Sequence, residues 1–137
     1  MIENAIIFSK ETKAVLLAKT FGDIGYDSKE FHGSLEEIKH TAIKLEKGTF
    51  ILDFDSGLTT MIYAIPKLSV SLVFNKVLDQ KEKGEWEGVA KEIIEGFSKI
   101  YDSESQNYFE FDKTMTEIVE WYLKEKSPID KMKEALW

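Results

Sequence analysis

Two aspartates one residue apart, Asp53 and Asp55, are the nearest this chain comes to a reactive pair. They end a run of alternating apolar residues, and alternation puts both on one strand face. Two carboxylates there could hold a divalent cation or act as acid and base. The plainer reading is a solvated strand end, since Asp55-Ser56-Gly57 is a turn signal. His32 and His40 are the only imidazoles. Eight residues apart, they lack the i, i+4 spacing of a helical metal pair, and no neighbouring serine or carboxylate makes a nucleophile–base arrangement. Both read as surface residues. Gly22, Gly25 and Gly33 lack the Gly-Lys-Ser/Thr ending of a phosphate loop. Asp102-Ser103-Glu104 lacks the Gly and the closing Glu of a calcium loop. No catalytic, metal or cofactor residues are assigned, and the expectation is a protein that is not an enzyme.

Composition narrows the field further. All 18 basic residues are lysine, and the net charge is −7. Nucleic-acid binding draws on a basic patch and on bidentate arginine, and phosphoryl transfer often on an arginine finger. An acidic chain without arginine suits neither, so no nucleic-acid partner is expected. With no cysteine, disulfides and thiolate chemistry are excluded. The longest apolar runs are of about five residues, far short of the ~20 that span a bilayer. The N-terminal stretch lacks a basic n-region and a cleavage site. A cytoplasmic protein is expected, peripheral to membranes at most through partners. At 137 residues with 43% apolar content, it is the size of one folded domain.

The elements that must position these residues follow from periodicity. Residues 4–9 and 14–20 are apolar runs flanking Lys10-Glu11-Thr12-Lys13, a hairpin pattern in which each strand is covered on both faces or central. Residues 21–33 read as a loop. Ser34-Leu35-Glu36-Glu37 reads as a capping box opening a helix with Leu35, Ile38, Ala42 and Leu45 on one face, and Gly48 as its left-handed C-cap. Three short strands follow at about 49–54, 58–65 and 69–75, connected tightly enough for an antiparallel meander. A polar stretch, 79–85, leads to a helix from about Glu85 to Tyr101, with Trp86, Val89, Ala90, Ile93, Phe97 and Ile100 facing inward. Another covers about 112–126 with Phe111, Met115, Ile118, Val119 and Tyr122 inward, capped by Asp112 or by the box at Thr114. Ser127-Pro128 then predicts a stop and a short terminal helix, about 128–137.

Three apolar residues miss their helix's inward stripe. At ~100° per residue, Ile43 falls about 120° from its stripe, and so does Trp121. Trp137 lies off the Ile129–Met132–Leu136 stripe. Ile43, Trp121 and Trp137 are therefore the candidate protein-interaction residues, since an exposed tryptophan is a common interface anchor. The competing reading is internal, with the terminal helix folding back over Trp121 or Trp137 tucked into a groove.

The fold class expected is α+β: a five-stranded antiparallel sheet in the order ββαβββαα plus the short C-terminal helix, one domain with its core over about 4–123. In that order, AIIFSKETKAVLLAKTFG as hairpin, FHGSLEEIKHTAIKL as first helix and FILDFDSGLTTMIYAI entering the meander resemble the longin domain. This is a profilin-like fold, related to the roadblock domain, which begins with a helix instead. The resemblance implies the first helix on one sheet face and the later ones on the other or alongside. It also implies a non-enzymatic module that forms a homodimer, or a heterodimer with a related longin or roadblock domain. Such modules scaffold or regulate small GTPases in vesicle-trafficking complexes, and archaeal members occur near small GTPases. The alternative is a small-ligand sensor of profilin/PAS-like fold, with Tyr63, Ser71 and Tyr101 converging on a cavity.

Overall fold

Every side chain of the first strand, β1 (Ile2–Ser9), is buried, the polar Glu3, Asn4 and Ser9 along with the apolar Ala5-Ile6-Ile7-Phe8 run. The structure is a computed structural model that describes residues 2–25, 29–101 and 108–136, the side chains at 30 and 125–136 excepted. β1 pairs with β2 (Val15–Thr20) in a hairpin and with β5 (Leu68–Phe74) on its other side. The remaining strands, β3 (Gly48–Asp53) and β4 (Thr59–Ala64), complete one antiparallel sheet in the order β2-β1-β5-β4-β3. The expected meander is thus β3-β4-β5. Its first turn has Gly57 at φ +94° with Phe54 donating to Leu58, and its second closes from Ile65 to Leu68 around Pro66-Lys67.

The element order is ββαβββαα, with helices α1 (Lys29–Lys44), α2 (Gln80–Ile100) and α3 (Phe109–Leu136). α1 carries the chain from β2 at one sheet edge to β3 at the other. It covers one face alone, where Phe31, Ile38 and Ala42 meet Ile6, Phe8, Ile62 and Val73. The opposite face holds the larger core. There Ile7, Met61, Val70, Leu72 and Phe74 pack under Trp86, Ile93, Phe97, Phe111, Met115 and Val119 of α2 and α3. Strand alternation divides the two sets.

Helix boundaries depart from the sequence expectation in all three helices. α1 begins at Lys29, so Ser34 is inside the helix and is not its cap. Phe31 is the cause: it extends the Leu35–Ile38–Ala42 stripe one turn earlier and is fully buried. Burying it contributes ~2–3 kcal/mol, against ~1 kcal/mol for the interior Gly33. Gly48 does hold a left-handed φ of +97°, but as the first residue of β3, beyond the end of α1. α2 begins at Gln80 because Asp79 is its N-cap. Its carboxylate accepts from the Glu82 amide at 2.8 Å, and Glu82 accepts from the Asp79 amide at 3.3 Å. Ile94 joins the buried face of α2, whereas Ile100 is exposed.

α3 begins at Phe109, placing both Asp112 and Thr114 within it, and runs unbroken to Leu136. There is no stop at Ser127-Pro128 and no separate terminal helix. Pro128 forfeits one amide hydrogen bond to the preceding turn, which shortens the ladder locally without ending it.

Candidate functional site

Asp53 is an exposed strand-end residue whose carboxylate accepts a hydrogen bond from the Thr59 hydroxyl at 2.8 Å. It braces the β3–β4 hairpin, and Asp55 sits in the turn beyond. Among the described residues no group of three His, Cys, Asp or Glu side chains is placed to hold a metal ion. His32 and His40 are both exposed on α1, eight residues apart and so separated by ~12 Å of rise. One ion cannot bridge them.

Gly22 has a packing role. A Cβ there would fall 2.0 Å from Glu3 Oε2. Glu3 is buried, and its carboxylate accepts from the Ile24 amide at 3.0 Å and from Asn75 Nδ2 at 2.9 Å. The Glu3 carbonyl accepts from the amides of Phe21 and Gly22. Next to it, buried Asn4 donates to the Ile24 carbonyl and accepts from the Thr20 hydroxyl. These bonds tie the 21–25 segment to the centre of the sheet. Lys10 clamps the other end, its ammonium donating to the carbonyls of Glu46 and Ile65 at 2.8 and 3.0 Å. Burial lowers its pKa from the usual value, and the Glu46 carboxylate opposes that shift.

Tyr63, Ser71 and Tyr101 do not converge. Ser71 faces α1 beside Ile6 and Ile62, where its hydroxyl, like those of Thr60 and Ser69, is buried without a hydrogen-bond partner among the described residues. Tyr63 lies on the opposite face beneath Lys91. Tyr101 is on that second face too, but stacks against Phe97 and bonds Ser9 at 3.0 Å.

The two sheet edges differ. β2 carries a bulge opposite Ile7 and Phe8, and α3 lies beside it, with Lys19 and Asp112 3.4 Å apart. Bulges and adjacent helices blunt an edge against further pairing. β3 has no bulge, and α2 reaches it through Glu87, which accepts from the Thr49 hydroxyl at 2.6 Å. Its six residues pair with β4 in unbroken register, and its Thr-Phe-Ile-Leu stretch carries no charge until Asp53. Phe50, 46% exposed, stands on this edge.

Of the candidate interaction residues, Ile43 is half-buried at the end of α1 in a shallow depression beside Lys10, Glu46 and Pro66. Trp121 is 63% exposed. It lines a groove of about 380 Å³ between α2 and α3, together with Glu92, Thr114, Glu117 and Ile118. Trp137 lies outside the described residues. Sequence reasoning missed Phe50 because strand alternation assigned it to a covered face, and α1 does not reach far enough to cover it. Exposed Phe109 and Val77 were also missed, falling where expected loops left no stripe to judge them by.

No helix among the described residues is long and apolar enough to cross a membrane. No family model matches the chain, and a search of curated proteins returns no relative.

Proposed function

We propose that this chain is a longin-like protein-interaction module that pairs through its β3 edge with a second copy or a related longin or roadblock domain. The pair scaffolds or regulates a small GTPase in a trafficking-type complex, in the cytoplasm or at a membrane reached through partners. The observation that carries the reading is the edge of β3, a regular strand whose Thr-Phe-Ile-Leu stretch is uncharged and which, among the described residues, pairs with a strand on one side only. Such an edge is a template for antiparallel addition of another strand. The sheet also gives the arrangement the resemblance implies, with α1 alone on one face and α2 and α3 on the other. The small GTPase enters through that resemblance.

Light scattering on a sizing column at micromolar concentration should give a dimer, and Phe50→Lys at the edge should give a monomer of unchanged helicity. The wild-type protein should retain a small GTPase of its source organism in a pull-down. A strictly monomeric wild-type protein that retains none would sink the proposal.

A further inference from the structure

The groove at Trp121 is a second surface, distinct from the β3 edge. Its geometry begins with how α2 and α3 run. Phe111 packs on Phe97 and near Gly96, while Tyr122 packs on Trp86 and bonds Glu85, so the two helices are antiparallel neighbours. Their inward residues close the core, and a channel between them opens to solvent. Ile118, one turn before Trp121, is half-buried on its floor. Glu92 of α2 and Glu117 of α3 line it, and neither carboxylate has an ion-pair or hydrogen-bond partner among the described residues.

An exposed indole flanked by two carboxylates without partners among the described residues is a receptor for a cation that also carries apolar surface. The indole face attracts a Lys or Arg head, the carboxylates supply the opposite charge, and Ile118 receives the alkyl stem. The chain's own C-terminal stretch is not the cover. α3 continues as one helix to Leu136, so those residues travel away along the axis and cannot turn back over Trp121 on the same helix. A channel bounded by two antiparallel helices fits a third helix lying along it.

We infer that this groove binds an amphipathic helix of a partner protein, with a lysine or arginine of that helix seated on Trp121 between Glu92 and Glu117. Neither the longin reading nor the β3 edge is needed for this site.

The test titrates the full chain with a labelled amphipathic Leu/Lys peptide of about 18 residues, enough for several helical turns. Controls are the same composition in a non-amphipathic order and the Leu/Glu counterpart. Wild type should bind the Leu/Lys helix, and Trp121→Ala should weaken it at least about tenfold. The double change Glu92→Gln with Glu117→Gln should weaken it several-fold and flatten its salt dependence. Unfolding midpoints should hold, because all three side chains are solvent-facing or partly so. Equal binding by Trp121→Ala, or by the non-amphipathic peptide, overturns the inference. So does sedimentation showing that Trp121→Ala abolishes self-association, since a second copy would then occupy the groove. Phe50→Lys leaves this binding intact, so failure here and failure of the edge pairing are separable.

Discussion

Replacing Glu3 with alanine should be among the most damaging single changes in this chain. The carboxylate is buried and holds two donors, the Ile24 amide at 3.0 Å and the Asn75 side-chain amide at 2.9 Å. A hydrogen bond to a charged group is worth ~1.5–3 kcal/mol, and each donor left behind in a dry site adds to the loss. Desolvation of the carboxylate itself is relieved in the variant, which offsets part of this. About 3 kcal/mol of net destabilisation is the expected outcome. For a domain of this length that is a fall in unfolding midpoint of roughly 10 °C. Glu3→Gln keeps an acceptor for one donor and should lose about half as much. The assay is urea unfolding followed by fluorescence, paired with hydrogen exchange at Ile24, whose amide should lose its protection in Glu3→Ala. A loss below about 0.5 kcal/mol, with Ile24 still protected, would refute the reasoning and show that the carboxylate does not hold the 21–25 segment.

Other outcomes follow from the same geometry. Ser71→Ala removes a buried hydroxyl that has no hydrogen-bond partner among the described residues and should be neutral or stabilising by up to ~1 kcal/mol in chemical denaturation. Gly57→Ala should destabilise by ~1 kcal/mol or more, read as a lower thermal midpoint, because the turn holds φ +94°. Lys10 has a lowered folded-state pKa, so the unfolded chain binds more protons at alkaline pH. Its contribution is therefore present above the usual value of 10.5 and lost as pH falls through the folded value. The stability difference between wild type and Lys10→Met should increase as pH rises toward 10.5.

The sheet was legible from sequence because its cues are local and redundant. Phe50, Leu52 and Phe54 alternate, Asp55-Ser56-Gly57 turns, and Pro66 breaks the next run, so β3, β4 and β5 fell close to their observed bounds. Helix starts were harder because competing signals lie a turn apart. Ser34 has the chemistry of a cap, but Phe31 has a pocket, and burial outweighs a cap worth ~1 kcal/mol. At α2 the Asp79 and Glu82 pair was present in the sequence, yet Gly84 and the surrounding charges made the stretch resemble a lead-in loop. Pro128 illustrates the reverse error, a strong local breaker inside a helix that continues. The position of Trp121 followed from angle alone. The groove beside it did not, because Glu92 reaches it from a different helix whose rotation about its axis no single-helix pattern reports.

The central pairing of β1 with β5 has a consequence for how the chain folds. Ile2 opposes Phe74 and Ser9 opposes Leu68, so the sheet's middle seam joins residues separated by most of the first half of the sequence. Contacts of that span impose a large loop-closure entropy before they return any stabilisation, which slows folding. During synthesis the β1–β2 hairpin emerges with its innermost strand open along one side until β5 leaves the ribosome. For that interval a strand that is fully buried in the finished fold is an unpaired edge, the condition under which nascent chains aggregate or recruit chaperones.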